Sequence, residues 1–136
     1  MKLFVVGLGP GGLDQITPAA IDAIEQSDVI AGYTVYVDLI RQRFADKTFL
    51  TTPMKQEVDR CRMAIEETVK GKNVSMVCSG DAGVYGMAGL IYELAQQYPP
   101  IEIHVVPGIT AAMSGAAVLG APLIHDFAVI SLSDLL

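Results

Sequence analysis

Hydrophobic and polar positions along the chain switch repeatedly between a period of two and a period of 3.6, and the switching predicts a domain of alternating strands and helices. Lys2 to Val6 is a short apolar run, as expected of a buried strand, and it runs into Gly7-Leu8-Gly9-Pro10-Gly11-Gly12. Thr17 caps a helix that Pro18 opens, with Ala20, Ile21 and Ile24 on its inner face. Asp28 to Ala31 reads as a second strand ended by Gly32, and Thr34 to Phe44 as a helix with Val35, Leu39 and Ile40 inward. Thr48 to Thr51 is a third, short strand. Thr52 and Pro53 repeat the cap-then-proline signal, and Met54, Val58, Cys61, Ile65 and Val69 form the clearest helical stripe, stopped by Gly71.

The stretch from Val74 to Gly89 organises the rest. Val74 to Cys78 is apolar on both faces, the mark of a central parallel strand. The run breaks at Ser79, Gly80 and Asp81, and Val84, Met87, Ala88, Ile91, Leu94 and Ala95 then fall at helical spacing. Glycines at 80, 83, 86 and 89 strip side chains from this loop and let a backbone or a flat ligand approach. A purely structural reading has Asp81 as a helix N-cap and the glycines as tight packing.

Ile101 to Val106 alternates apolar and polar residues, so the fifth strand is less buried than the fourth, and His104 reads as a rim histidine. Pro107-Gly108 turns into a helix of small residues, including Thr110, Ala111, Ala112, Ser114 and Gly115, ended by Gly120 and Pro122. Phe127 to Leu132 reads as the start of another strand. Ser133 and Asp134 resemble the cap of a further element, which suggests a domain boundary near here. The whole predicts a three-layer α/β domain with a five-stranded, mostly parallel sheet. Loops rich in small residues follow strands one, four and five, so they can meet in one crevice at the strand carboxyl ends.

Composition narrows the partners. Apolar residues make up 51% and charged residues 18%, which fits a packed domain and excludes a disordered chain. A net charge of −6 speaks against a nucleic-acid backbone or an anionic membrane as partner. No apolar run approaches the roughly 20 residues needed to span a bilayer. Cys61 and Cys78 sit in apolar settings without metal-ligand spacing, and no metal site is expected; two buried thiols suggest a reducing, cytoplasmic setting.

Gly7, Gly9 and Gly12 match the G-x-G-x-x-G dinucleotide fingerprint, with Asp28 about 20 residues on where a ribose-binding acid belongs. Two details oppose an NAD or NADP site. The cap at Thr17 starts the helix several residues too late for its N-terminus to hold a pyrophosphate. Pro10 also has no N–H to offer an anion.

Gly7-Leu8-Gly9-Pro10-Gly11, Ser79-Gly80-Asp81-Ala82-Gly83-Val84-Tyr85-Gly86 and Pro107-Gly108-Ile109-Thr110-Ala111-Ala112 resemble, in order and spacing, three motifs of the tetrapyrrole (corrin/porphyrin) methylase superfamily. Met113-Ser114-Gly115 and the later run from Leu119 to Phe127 are similar to the branch that methylates C-17 of precorrin-3B or of cobalt-factor III during cobalamin synthesis. Gly80-Asp81-Ala82, where many members carry Gly-Asp-Pro, is similar to the same ring-contracting branch. The resemblance implies an S-adenosylmethionine-dependent methyltransferase with two α/β domains, residues 1–124 forming the first and 125–136 beginning the second. It implies a tetrapyrrole substrate, a homodimer, and cofactor contacts at Pro10, Ser79, Gly80, Asp81, Val84, Thr110 and Ala111. Another precorrin methylase is the neighbouring alternative. Methyl transfer from a sulfonium needs positioning and exclusion of water more than acid–base groups. Asp81 stands as a group to fix one end of the cofactor and Tyr85 as a wall of the cleft. No general acid for ring contraction is assigned; Ser114, His125 and Asp126 are candidates, more readily read as structural polar residues.

Overall fold

The computed structural model describes residues 1–132. Ser133 and Asp134, read above as a cap, lie outside them. Five strands, β1 (Lys2–Gly7), β2 (Val29–Tyr33), β3 (Thr48–Thr52), β4 (Val74–Cys78) and β5 (Glu102–Val106), form one parallel sheet in the order β3-β2-β4-β1-β5. Five helices, α1 (Pro18–Glu25), α2 (Thr34–Ile40), α3 (Glu57–Val69), α4 (Ala88–Ala95) and α5 (Ala111–Val118), follow the strands in turn.

The chain starts near the middle, winds through β2 to the β3 edge, then reverses through β4 to the β5 edge. Crossovers of one hand place the helices of the two directions on opposite faces, and two cores result. Leu3, Val5, Val74 and Met76 pack under α3 and α4, on Cys61, Ile65, Ile91 and Leu94. Phe4, Val6, Ile30 and Val77 pack against Ala20, Ile24, Val37 and Ile40 of α1 and α2. Every residue of β4 is buried, as expected of a central parallel strand apolar at all but one position. Its one hydroxyl, on Ser75, is satisfied by Ser27 Oγ at 2.8 Å.

The local signals held at α1, where Thr17 Oγ1 accepts the Ala20 N–H at 3.1 Å and Pro18 opens the helix. They failed in five places. Gly32 does not end β2 but lies inside it, with no room for a Cβ, which would stand 2.7 Å from Val77 Cγ2. The helix expected to reach Phe44 ends at Ile40, and Val35 and Leu39 point outward while Val37, Ile40 and Phe44 are buried. Thr52 does not cap α3: it is the last residue of β3, paired with Tyr33, and a left-handed Lys55 (φ +64°) delays α3 to Glu57. That leaves Met54 outside the helix and Met54 and Val58 exposed. Asp81 is no helix N-cap, because α4 starts only at Ala88. Phe127 to Leu132 forms no strand; it runs exposed beside the β4 loop.

Candidate functional site

The sheet order sets β4, β1 and β5 side by side, so their three small-residue loops meet at the carboxyl ends of the strands. They are joined backbone to backbone. Gly9 and Gly80 exchange both N–H···O bonds, at 3.0 and 2.8 Å, extending the β1–β4 pairing past the sheet as a small antiparallel bridge. Both glycines are left-handed, at φ +77° and +66°. A Cβ on Gly7 would fall 2.6 Å from Gly80 O and 2.8 Å from Gly108 N, so only glycine lets the three loops close.

Among the described residues, Asp81 is the side chain that ties this knot. Its Oδ1 accepts the Gly108 N–H at 2.9 Å, reaching across to the β5 loop, and its Oδ2 accepts those of Gly83 and Val84 at 2.8 and 3.1 Å. Partial burial alone would raise its pKa, but the backbone donors outweigh it and hold the carboxyl below its ordinary value.

Two adjoining clefts open at this end. The first, of about 260 Å³, is lined by Ser79, Gly80, Asp81, Val84, Thr110 and Ala111, together with Tyr36, Tyr85, Ala112 and Val129. The cofactor residues expected from the sequence thus lie together, except Pro10, which is outside this lining. The Thr110 side chain makes no cap bond, so α5 presents an uncapped N-terminus where Ala111 and Ala112 line the cleft. Tyr85 stands between the clefts with φ +53°, a rare conformation for a bulky residue. Its hydroxyl donates to Val129 O at 3.1 Å and accepts the Ser131 N–H at 2.9 Å, holding that segment against the loop.

The second cleft, about 350 Å³, reaches from the β4 loop toward β2 and α3 and is lined by Tyr33, Tyr36, Met54, Glu57, Arg60, Cys78, Ser79, Tyr85 and Met87 among others. The sequence reading missed it. Arg60, 5% exposed, was hidden because it shares the buried face of α3 with Ala64 and Thr68 beside the apolar stripe; a cation in register with that face was the available signal. Burial pushes the Cys61 thiol up to about 12 and that of Cys78, which lines the cleft, to about 11, so both are neutral at physiological pH.

Other candidates stand apart. His104 lies against Phe4, ring centroids 5.5 Å apart, and pairs with Glu102 on the edge strand. Ser114 sits on α5, and His125 and Asp126 on the exposed segment beyond it; none lines either cleft. Asp28 precedes β2 at the amino end of the sheet and accepts the Asn73 N–H at 2.9 Å, away from the glycine loop. With α1 starting at Pro18, the dinucleotide geometry is absent from the first loop. Among the described residues no group of three His, Cys, Asp or Glu side chains stands placed to hold a metal, and no helix is long and apolar enough to cross a membrane.

Fold and site together define a class: a parallel α/β domain with clefts at the carboxyl ends of its central strands, where three glycine-bearing loops meet. Residues 2–135 match the family described as Tetrapyrrole (Corrin/Porphyrin) Methylases, and the chain belongs to that family. It is 46% identical over 135 residues to the probable cobalt-factor III C(17)-methyltransferase of Salmonella typhimurium, covering 98% of this chain and 56% of that protein. It is 38% identical over 136 residues to the precorrin-3B C(17)-methyltransferase of a Sinorhizobium species, covering 97% of this chain and 53% of that one. The crystal structure of the methyltransferase CobJ superposes with a TM-score of 0.90 at 41% identity, over 98% of this chain and 56% of that one. The chain therefore spans about half the length of these relatives.

Proposed function

We propose that this chain is the cofactor-binding part of an S-adenosylmethionine-dependent methyltransferase acting on C-17 of cobalt-factor III or precorrin-3B, with contraction of the macrocycle. One observation carries the reading: six residues from the β4 and β5 loops, far apart in sequence, line a single cleft in a chain whose relatives are named for C(17) methylation.

The cleft suits the cofactor. Glycine at Gly80, uncapped N–H groups at Ala111 and Ala112, and the Ser79 hydroxyl offer a polar cradle with little side-chain bulk. Bound there, S-adenosylmethionine supplies a methyl group on a sulfonium. The protein's part is to position and to exclude water. Ser79 and Gly80 hold one side of the cradle, and Thr110 and Ala111 the other. Asp81 acts by fixing the two loops at their spacing, with lone pairs left over for a ligand donor. Pro10 belongs to the rim of the first loop, and Tyr85 forms a wall shared with the second cleft.

We further propose that residues 125–136 begin a second domain that closes the cleft, and that the enzyme works as a homodimer in the cytoplasm. Val118 (84% exposed), Leu119, Ile124 and Ile130 support a covering partner, since so much apolar surface is rarely left to water.

Calorimetric titration of S-adenosylhomocysteine, with NAD as control, tests the reading on this chain and on one extended through the following domain. Binding of S-adenosylhomocysteine, tighter in the extended chain, is expected. Heat with NAD and silence with S-adenosylhomocysteine in both would overturn it.

A further inference from the structure

The second cleft contains a cation that, among the described residues, forms no ion pair. Arg60 is buried at the cleft wall, its Nε donating to Thr52 Oγ1 at 2.9 Å and its Nη2 to Pro53 O at 3.2 Å. Both acceptors are neutral, and neither bond engages Nη1. The guanidinium also lies over the Tyr33 ring, 5.6 Å from its centroid. Glu57, one turn earlier on α3, lines the same cleft, yet no ion pair joins the two among the described residues. Neither the Cys78 thiol in the lining nor the Cys61 thiol is an anion at neutral pH. Arg60 is the one cation among the residues lining the two clefts.

A buried cation without an ion-pair partner is costly, and a chain with 15 acids to 9 bases has carboxylates to spare for pairing it. The guanidinium is instead held in place by two neutral oxygens, its remaining fork donors left for a planar carboxylate. Around it stand Tyr33, Tyr36 and Tyr85, flat faces suited to a conjugated ring, with Tyr36 and Tyr85 shared with the cofactor cleft. About 350 Å³ holds a ring edge and one acidic arm.

We propose that Arg60 is a substrate-binding residue: it takes a peripheral carboxylate of the macrocycle, whose ring edge lies against the tyrosines, and so sets which edge faces the methyl donor. This rests on the methylase reading above for the identity of the ligand. Thr52 and the Pro53 carbonyl are positioning groups that aim the guanidinium.

The test uses uroporphyrin, a stable tetrapyrrole rich in carboxylates, titrated into this chain while the Arg60 guanidinium is followed by nitrogen-15 NMR. The expected result is saturable binding with Arg60 resonances shifting in step. Arg60→Met should weaken binding about tenfold and Arg60→Lys by less, as loss of a charge-assisted hydrogen bond requires. Should Arg60→Met fail to fold, the titration of the unaltered chain still decides. Uroporphyrin that does not bind, or binds with Arg60 unmoved, overturns the proposal; if S-adenosylhomocysteine still binds, the methylase reading stands. Binding through Arg60, with S-adenosylhomocysteine ignored both by this chain and by one extended through the following domain and NAD bound in its place, would overturn the methylase reading alone.

Discussion

Two helices, α3 and α5, line adjoining clefts at the carboxyl ends of the strands and are held there by different physics. Along its thirteen residues α3 buries Arg60, Cys61, Ala64, Ile65 and Thr68 against the sheet. Along its eight residues α5 buries none, and its apolar end, Val118, is 84% exposed. Packing therefore fixes the Arg60 wall, whereas the Thr110 wall depends on a few polar links: the Gly108 N–H on Asp81, and the Tyr85 hydroxyl on residues 129 and 131. A site so built has one rigid half and one half free to adjust to whatever covers it.

The largest effect should separate the helices directly. Ile65 is fully buried, and Ile65→Ala leaves a cavity costing about 3 kcal/mol. Val118→Ala should stay within about 0.5 kcal/mol, as expected of a surface change. Urea denaturation of both variants checks this; equal losses would mean that α5 is as firmly packed as α3.

The sequence revealed the rigid half best, and for a physical reason. A strand buried on both faces, as β4 is, selects apolar residues apart from the paired Ser75, and a helix seated on it repeats them at 3.6, so Val74 to Cys78 and the stripe through Cys61 and Ile65 were legible. The start of α1 was equally so, since Thr17 and Pro18 act through contacts within one turn. Helix boundaries elsewhere were not, because tertiary pairing overrode local preference: Thr52 and Gly32 carry cap or stop signals, yet the sheet claims both. Phe127 to Leu132 has the composition of a strand but no strand pairing here, and composition cannot say what lies beside a segment. The first cleft was legible because glycines mark close backbone approach at β4 and β5. The Arg60 cleft was not, because its other wall, Tyr33, Tyr36, Met54, Glu57 and Arg60, comes from β2, α2, α3 and the turn before α3, and no local motif joins these residues to the β4 loop.

A middling effect should come from the tie between the halves. Asp81→Asn keeps the shape but weakens three bonds to backbone donors, at a cost of about 1 to 2 kcal/mol at neutral pH. The pH dependence follows from the lowered pKa. In the unfolded chain Asp81 takes up its proton near pH 4, while in the folded one it does so only at lower pH. Its contribution is thus complete above about pH 4 and is lost as pH falls through the folded value. Acid titration of stability should be shallower below about pH 4 for Asp81→Asn than for the parent. Identical slopes would show that the carboxylate is not what links the β4 and β5 loops.

The smallest effect belongs to Tyr85, and it probes the adjustable half alone. Its ring is 60% exposed, so Tyr85→Phe removes little packing, and its hydroxyl makes two bonds in reach of water. Their net worth is about 0.6 kcal/mol, too small to find in a denaturation curve. Local opening is the sensitive readout, because the Ser131 amide can exchange its hydrogen only when that bond breaks. The same 0.6 kcal/mol corresponds to about threefold faster exchange at Ser131, while amides of β4 should keep the parent rate. Faster exchange in β4 as well would mean that the segment beyond α5 braces the sheet itself, and the division into a packed half and a tethered half would fail.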